Sequence, residues 1–126
     1  MKVLVTGGRT YADEINVNKT LTRIHTEHPI SLLIEGGAKG ADRLARHWAV
    51  RNNVQYCTVE ANWNHHGKIA GIIRNEQMIQ MKPDLVVAFP GGKGTAHMMK
   101  LAERYGVKLK KVEPSVTVYA RSANNA

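Results

Sequence analysis

Residues 85–95 read LVVAFPGGKGT, a short apolar run that leads directly into a glycine-rich turn. Such a run is typical of a strand buried on both faces, and the glycines allow a sharp turn from strand to helix. After Thr95 the apolar residues recur at helical spacing, at Met98, Met99 and Ala102. A strand, a glycine turn and a helix in this order are typical of α/β proteins with a parallel sheet.

The same order repeats along the chain before and after this segment. Strands are predicted over residues 1–6, 31–35, 55–60, 84–89 and 107–112. Helices are predicted from Asp13 to about His28, after Gly40, from Lys68 to Met81 and from a Thr95 cap to Gly106, with a polar loop over 61–67. The predicted fold class is α/β, a single Rossmann-like three-layer domain with a mainly parallel five-stranded sheet. We expect the domain to span residues 1–112, followed by a tail over 113–126 in which residues 115–119 suit an edge strand or an oligomer contact.

Composition sets the broad class of the protein. With 126 residues the chain is long enough for one domain, and its apolar runs are far shorter than the roughly 20 residues of a spanning helix. We therefore expect no membrane insertion, and the early glycine at Gly7 argues against a secretory signal. The single cysteine, Cys57, excludes an internal disulfide and agrees with a cytoplasmic location. A net charge of +8 indicates anionic partners, either nucleic acid or small phosphorylated ligands.

Three of the predicted strands end in a glycine pair followed by a cation. The carboxyl ends of parallel strands meet at one edge of the sheet, so the three loops are expected to lie together. Glycine lets backbone N–H groups approach a cluster of oxygens, and a helix N-terminus favours negative charge. The predicted phosphate-binding residues are Gly7, Gly8, Arg9, Gly36, Gly37, Lys39, Gly40, Pro90, Gly91, Gly92, Lys93, Gly94 and Thr95. The alternative for any one loop is that its glycines only make a tight turn.

Two common nucleotide motifs are absent. The chain has no G-x-x-x-x-G-K-[ST], which argues against a P-loop nucleotidase, and the dinucleotide fingerprint fails because His97 occupies its third glycine position. Of the basic residues, Arg9 and Arg74 suit bidentate binding of phosphate, whereas a solvated basic face explains those of the last helix and strand.

Four motifs, in order, resemble the SLOG superfamily, which includes the Lonely Guy cytokinin-activating phosphoribohydrolases and the Rossmann domain of DNA-processing protein A. Pro90-Gly91-Gly92-Lys93-Gly94-Thr95 is similar to the P-G-G-x-G-T motif of that superfamily. The others are Gly7-Gly8-Arg9-x-Tyr11-x-Asp13, then Gly36-Gly37-Ala38-x-Gly40-Ala41-Asp42, then Trp63 with Arg74-Asn75-x-x-Met78, and they resemble the YspA-like branch of bacteria and phages. The resemblance covers residues 1–112 and implies a Rossmann-like fold with a nucleotide site.

The resemblance also implies roles for individual residues. In the Lonely Guy enzymes the P-G-G-x-G-T motif binds the nucleotide phosphate, and an Arg in an R-x-x-x-M pattern works with a Glu three residues after the Thr. Arg74, with Met78 four residues on, matches the Arg, but Met98 occupies the Glu position and cannot transfer a proton. N-glycosidic cleavage would then need another acid. The candidates are Glu35 and Glu60 at strand ends and Glu76 on a helix.

The remaining candidates are weaker by residue type. Tyr11 and Trp63 lie in loops near the expected site, where an aromatic ring can stack on a base, although Trp63 would equally close the core. His97 suits a phosphate or ribose contact, with an exposed histidine as the alternative. Asp42 suits the first turn of its helix, and the motifs add Asp42 and Asn75 to the ligand-binding candidates.

Other residues are expected to be structural. Glu35 at its strand end could accept local N–H bonds or pair with Lys39, Trp48 is predicted in the core, and Cys57 is predicted buried and inert on a central-type strand. No metal is expected, because His65-His66 lacks a matching Cys or His pair, and no cofactor is expected.

These observations predict a protein that binds a nucleotide or nucleotide-derived phosphorylated ligand at the glycine-loop edge, as a sensor or a sequestering module. One alternative is an N-glycosidic hydrolase that releases a base from a nucleoside phosphate. A second is a single-stranded nucleic-acid binder, which the net positive charge favours. The expected partners are the small ligand and further copies of the chain in a dimer or larger homo-oligomer.

Overall fold

Five short parallel strands form one sheet in the computed structural model, which describes residues 1–114. The strands are β1 (Lys2–Thr6), β2 (Leu32–Glu35), β3 (Gln55–Thr58), β4 (Leu85–Ala88) and β5 (Lys108–Lys111). Their order across the sheet is β3-β2-β1-β4-β5, and each neighbouring pair is parallel. The prediction of an α/β fold with a mainly parallel five-stranded sheet is confirmed. The order reverses beside β1, so the ligand crevice expected of such sheets lies between the carboxyl ends of β1 and β4.

Helices cover both faces of this sheet. They are α1 (Glu14–Glu27), α2 (Ala41–Arg51), α3 (Trp63–His66), α4 (Ala70–Ile79) and α5 (Lys93–Arg104), with a 3-10 turn at Gly67–Ile69. Asp13 caps the start of α1, because its side chain accepts a hydrogen bond from Asn16 N at 3.0 Å. The predicted stripe of α1 is buried at Val17, Leu21 and Ile24, as periodicity requires.

Alternation along the strands produces two core clusters, one on each face of the sheet. In β1, Val3 and Val5 pack with the buried residues of α1 and α2, whereas Leu4 packs on the other face against α4 and α5. Trp48 is buried in the first cluster, as predicted, and Met98 is fully buried in the second. The core therefore holds α2 and α5 rigidly, and each of these helices begins just after a glycine loop.

Three local predictions were wrong. The expected loop over 61–67 contains α3, because the Asn62 side chain accepts from His65 N at 3.1 Å and caps a helical turn, and α4 then begins at Ala70. Thr95 does not cap α5, because the helix begins at Lys93 and the buried Thr95 hydroxyl lies against Gly91. Cys57 lies half-buried on the edge strand β3 and not on a central strand.

The β5 edge of the sheet is exposed and basic. All four residues of β5 are exposed, and three of them are lysines, a composition that discourages pairing with another strand. The alternating segment 115–119 predicted to follow lies outside the described residues. No helix among residues 1–114 is long and apolar enough to cross a membrane.

Candidate ligand-binding site

The three glycine loops meet at the carboxyl edge of the sheet. We name them the first loop (residues 7–12, after β1), the second loop (36–40, after β2) and the third loop (90–92, after β4). Gly8 in the first loop joins all three, because its N–H donates to Pro90 O at 2.9 Å and its carbonyl accepts from Ala41 N at 3.2 Å. The three loops therefore lie together, as the sequence predicted.

The second loop approaches the first so closely that only glycine fits at the contact. Gly40 has φ +79°, a conformation that L side chains rarely adopt, and a Cβ there would overlap Gly8 O. The next residue, Ala41, begins α2. Gly40 thus allows the start of α2 to lie in contact with the backbone of the first loop.

Two buried carboxylates hold the second loop, one at the end of β2 and one in the first turn of α2. Glu35 is fully buried and accepts from Gly37 N at 2.6 Å, while Asp42 Oδ2 accepts from both Gly36 N and Ala38 N at 3.2 Å. Both acids were predicted as site residues. Their oxygens accept from the backbone N–H groups of Gly36, Gly37 and Ala38, so these donors fix the loop and are not available to an anion.

Burial has a clear electrostatic effect on Asp42. The pKa of this carboxyl is raised to about 6, mainly by desolvation and also by the nearby Glu35 carboxylate. Its backbone hydrogen bonds and the Arg74 guanidinium act in the opposite direction and lower the pKa. The second loop is therefore supported by a group that changes charge at mildly acidic pH.

Sequence reasoning missed two partners of Glu35. The Thr58 hydroxyl donates to Glu35 Oε2, and Arg46 Nε lies 3.9 Å from the same oxygen as a buried N–H without a hydrogen-bond acceptor among residues 1–114. Lys39, the partner considered from sequence, is exposed on the loop. Strand register could have identified Thr58, because parallel pairing places it directly beside Glu35.

Arg74 and Asn75 on α4 connect the second loop to α5. Arg74 Nη1 donates to Gly36 O at 2.5 Å and its Nε donates to Asn75 Oδ1 at 3.2 Å. Asn75, which is buried, then donates to Gly94 O at 3.1 Å and lies 3.1 Å from His97 Nδ1. The side chains predicted as separate ligand contacts are thus joined in one hydrogen-bonded chain.

The third loop is crowded at Gly91, where a Cβ would overlap Thr95 Oγ1, but it is open where it leads into α5. Cβ atoms added at Gly92 or Gly94 would meet no other atom within 4 Å, and Gly91 to Gly94 are all exposed. Within residues 1–114, α5 has no side-chain cap, and the first N–H groups of a helix have no partner within the helix itself. Lys93 is exposed in that turn. A helix N-terminus with uncapped N–H groups and a neighbouring cation suits a phosphate.

The other predicted contacts surround these loops at different depths. Tyr11 packs its ring on Phe89, with centroids 5.5 Å apart, and its hydroxyl accepts from Asn16 Nδ2 at 2.8 Å. Trp63 is 56% exposed, so it does not close the core. A Cβ at Gly37 would lie 3.1 Å from Glu60 Cγ, which places Glu60 beside the second loop. Arg9 is exposed on the first loop, and Glu76 is half-buried on α4.

A cavity of about 230 Å³ adjoins the third loop on the β5 side. Its apolar walls come from Phe89, Pro90, Met99 and Val112. Thr95, Lys111 and Glu113 supply polar groups. This volume, smaller than most ligand pockets, suits one planar ring more than a whole nucleotide.

Comparison with known proteins identifies the family of this chain. The sequence profile of the YspA, cpYpsA-related SLOG family (YAcAr) matches residues 1–66, which include the first and second loops. The Gene 61 protein of Mycobacterium phage D29 is 38% identical over 114 residues, which cover 84% of this chain and 91% of the relative. The chain belongs to the YspA, cpYpsA-related SLOG family. The sequence prediction of this superfamily and branch is confirmed.

A solved structure extends the likeness of this SLOG protein to the fold. The X-ray structure of DNA processing protein A (DprA) from Streptococcus pneumoniae superimposes with a TM-score of 0.74 at 18% sequence identity, over 91% of this chain. The chain spans about half the length of DprA, 51%. At this identity the likeness concerns the fold alone.

Two positions of this SLOG protein bear on catalysis. Met98, where the Lonely Guy pattern has Glu, is fully buried in the core between α5 and the sheet. Arg74, which matches the catalytic Arg, is engaged by Gly36 O and Asn75 Oδ1. Among residues 1–114, no group of three or more His, Cys, Asp or Glu side chains is placed to hold a metal ion.

Proposed function

We propose that this SLOG protein binds a nucleotide or a nucleotide-derived phosphorylated ligand, as a sensor or a sequestering module. The phosphate would lie at the third loop, where it would accept from the first-turn N–H groups of α5 and pair with Lys93. The membership of the SLOG family and the Rossmann-like fold support a nucleotide-related role at this edge.

One observation carries the proposal: at the uncapped start of α5, Cβ positions at Gly92 and Gly94 have no neighbouring atoms. Glycine inside a helix costs about 1 kcal/mol relative to alanine, so Gly94 within the first turn of α5 weakens the helix without relieving any crowding. A bound anion that needs close access to the backbone supplies the reason for that cost.

The sugar and base of the ligand could lie on either of two sides of this phosphate. Towards β5 lies the cavity next to Met99, and towards α4 lie Trp63 and His97. Substitution of Met99 by Trp would fill the cavity, whereas Trp63→Ala would remove the exposed ring. The variant that weakens AMP binding but leaves ribose 5-phosphate binding unchanged identifies the side that receives the base.

Calorimetric titration of the full chain with inorganic phosphate, ribose 5-phosphate, AMP and unphosphorylated adenosine tests the function itself. We expect binding of the three phosphorylated compounds, with little response to adenosine. If adenosine binds as tightly as AMP, or if no phosphorylated compound binds at low salt, the proposal is wrong.

Hydrolysis of an N-glycosidic bond is a second candidate, favoured by the position of Glu60 beside Gly37 at the ligand edge. In this version Arg74 orients the substrate, and an exposed Glu60 stabilises the ribosyl cation or activates water. Glu35 is a weaker candidate, because Gly37 N and the Thr58 hydroxyl already occupy its oxygens. Incubation with nucleoside monophosphates and chromatographic detection of free base is the test, with Glu60→Gln as the variant expected to lose any activity.

Binding of single-stranded nucleic acid is a third candidate, favoured by the exposed lysines of β5. This binding would weaken steeply with salt as counterions are released, whereas a pocket ligand with one phosphate responds much less. Parallel titrations with a labelled oligonucleotide and with AMP across a salt series separate the two modes.

A further inference from the structure

The side-chain amide of Asn75 has only one orientation that satisfies its partners. Arg74 Nε can only donate, so it must face the amide oxygen, and Gly94 O can only accept, so it must face the amide nitrogen. The amide nitrogen therefore also faces His97 Nδ1, at 3.1 Å. An imidazole nitrogen in that position accepts a hydrogen bond and carries no proton.

The consequence for His97 is a fixed tautomer. With Nδ1 as the acceptor, the ring proton lies on Nε2, on the side of the ring opposite Asn75. His97 is half-buried, and within residues 1–114 Nε2 has no hydrogen-bond partner and is not among the polar atoms sealed from solvent. The ring therefore presents one oriented N–H donor to solvent.

The location of that donor connects it to the ligand site. His97 lies four residues after Lys93, about one helical turn from the start of α5. Helical side chains lean towards the N-terminus, so the ring reaches back to the end of α5 that faces the third loop. Asn75 fixes the ring and at the same time binds the Gly94 carbonyl of that first turn.

We infer that His97 is a ligand-binding residue whose Nε2–H donates to an oxygen of a bound sugar phosphate, and that Asn75 is the positioning residue that fixes its tautomer. This inference rests on the proposed function, because it needs a phosphorylated ligand at the third loop. It adds a specific contact, because the amide holds the donor in one direction before the ligand arrives.

Nitrogen-15 NMR of the full chain tests the tautomer directly. Long-range proton–nitrogen correlations distinguish Nε2–H from Nδ1–H rings, and comparison with His97→Gln assigns the signal among the six histidines. We expect His97 as the Nε2–H tautomer, with a shift of Nε2 when ribose 5-phosphate is added. In Asn75→Asp the donor to Nδ1 is lost, so Nδ1 should become protonated. An Nδ1–H ring in the wild-type protein would overturn the inference.

Affinity gives a second measurement that does not depend on whether Asn75→Asp folds. His97→Ala should weaken ribose 5-phosphate binding about tenfold, and His97→Gln should recover part of it, because the glutamine amide can place an N–H near the Nε2 position. If inorganic phosphate weakens equally, the acceptor is a phosphate oxygen; if only ribose 5-phosphate weakens, it is a sugar oxygen. Unchanged affinity in His97→Ala overturns the inference but not the proposed function, whereas absence of any binding to the wild-type protein overturns both.

Discussion

The second and third loops share a glycine pair after a parallel strand, but the space around the two pairs differs. In the second loop a Cβ at Gly36 would overlap the Arg74 guanidinium and one at Gly40 would overlap Gly8 O. In the third loop Gly92 has no other atom near its Cβ position, and neither does Gly94 in the helix that follows. The second-loop glycines, and Gly91 of the third loop, make room for other parts of the protein, whereas Gly92 and Gly94 leave room for something else.

The supporting interactions differ in the same way. The backbone N–H groups of Gly36, Gly37 and Ala38 are taken by Glu35 and Asp42. Among the described residues neither α2 nor α5 has a side-chain cap, but the first N–H group of α2, that of Ala41, donates to Gly8 O. The second loop and the start of α2 therefore spend their N–H groups on acceptors within the protein, which explains why glycine pairs alone do not distinguish a binding loop from a structural one.

The largest contrast is expected from alanine at Gly40 and Gly94. Gly40→Ala should lower the free energy of unfolding by about 3 kcal/mol or more, because φ +79° is strained for alanine and its Cβ meets backbone. Gly94→Ala should instead raise it by roughly 0.5 to 1 kcal/mol, as alanine does in an uncrowded helix. Urea unfolding followed by circular dichroism measures both, and equal effects would contradict the distinction between the loops.

The support of the second loop should make stability depend on pH through Asp42. Its pKa of about 6 in the folded protein exceeds the ordinary aspartate pKa of 3.8, so between these pH values the folded protein binds a proton that the unfolded chain does not. This contribution is fully present below about pH 4 and is lost as pH rises through 6. The shift of roughly two units corresponds to about 3 kcal/mol at most.

Asp42→Asn should remove this part of the pH dependence. The amide oxygen can still accept from Gly36 N and Ala38 N, since both bonds end on a single oxygen of Asp42. The variant should therefore be at least as stable as the wild type at pH 7, with a flatter stability profile between pH 4 and 6. A profile unchanged from wild type would show that another group titrates there.

The third loop can be tested with a carboxylate at Gly94. Gly94→Asp should preserve folding, because an acidic side chain in the first turn of a helix is favourable by about 0.3 to 1 kcal/mol. It should weaken AMP binding at least tenfold, because the new charge lies where the phosphate is expected. Gly94→Ala is the matched control, and it should retain at least part of the affinity that the aspartate variant loses. If both variants bind AMP as the wild type does, the phosphate lies elsewhere.

The sequence predicted the fold and the meeting of the loops because these follow from repeated local patterns. Strand ends, glycine turns and helical stripes such as Val17, Leu21 and Ile24 are visible within a few residues. Partnerships that connect distant elements were not visible. The Thr58 contact to Glu35 depends on strand register, and the Arg74–Gly36 bond depends on how α4 packs beside β2.

The prediction of where α5 begins failed for a similar reason, although the residues involved are close in sequence. Thr95 is a good capping residue by type, yet the N-cap of α5 is Gly92, three residues earlier, and the Thr95 hydroxyl is buried against Gly91. Residue type alone favoured the wrong position, since packing of Thr95 against Gly91 in the third loop was not included. That error concealed the uncapped helix start, which is the feature that supports the proposed function.

The smallest expected effect concerns single lysines, and it separates the third loop from the basic edge strand. Lys93→Gln should weaken AMP binding a few fold and leave oligonucleotide binding nearly unchanged, because Lys93 lies in the first turn of α5. Lys110→Gln on β5 should do the reverse, lowering the salt dependence of oligonucleotide binding by about one phosphate contact. Salt-dependent titrations of both variants measure this. If Lys93→Gln weakens both ligands alike, the helix start is part of a nucleic-acid surface, and the openness of the third loop serves a backbone phosphate in place of a nucleotide.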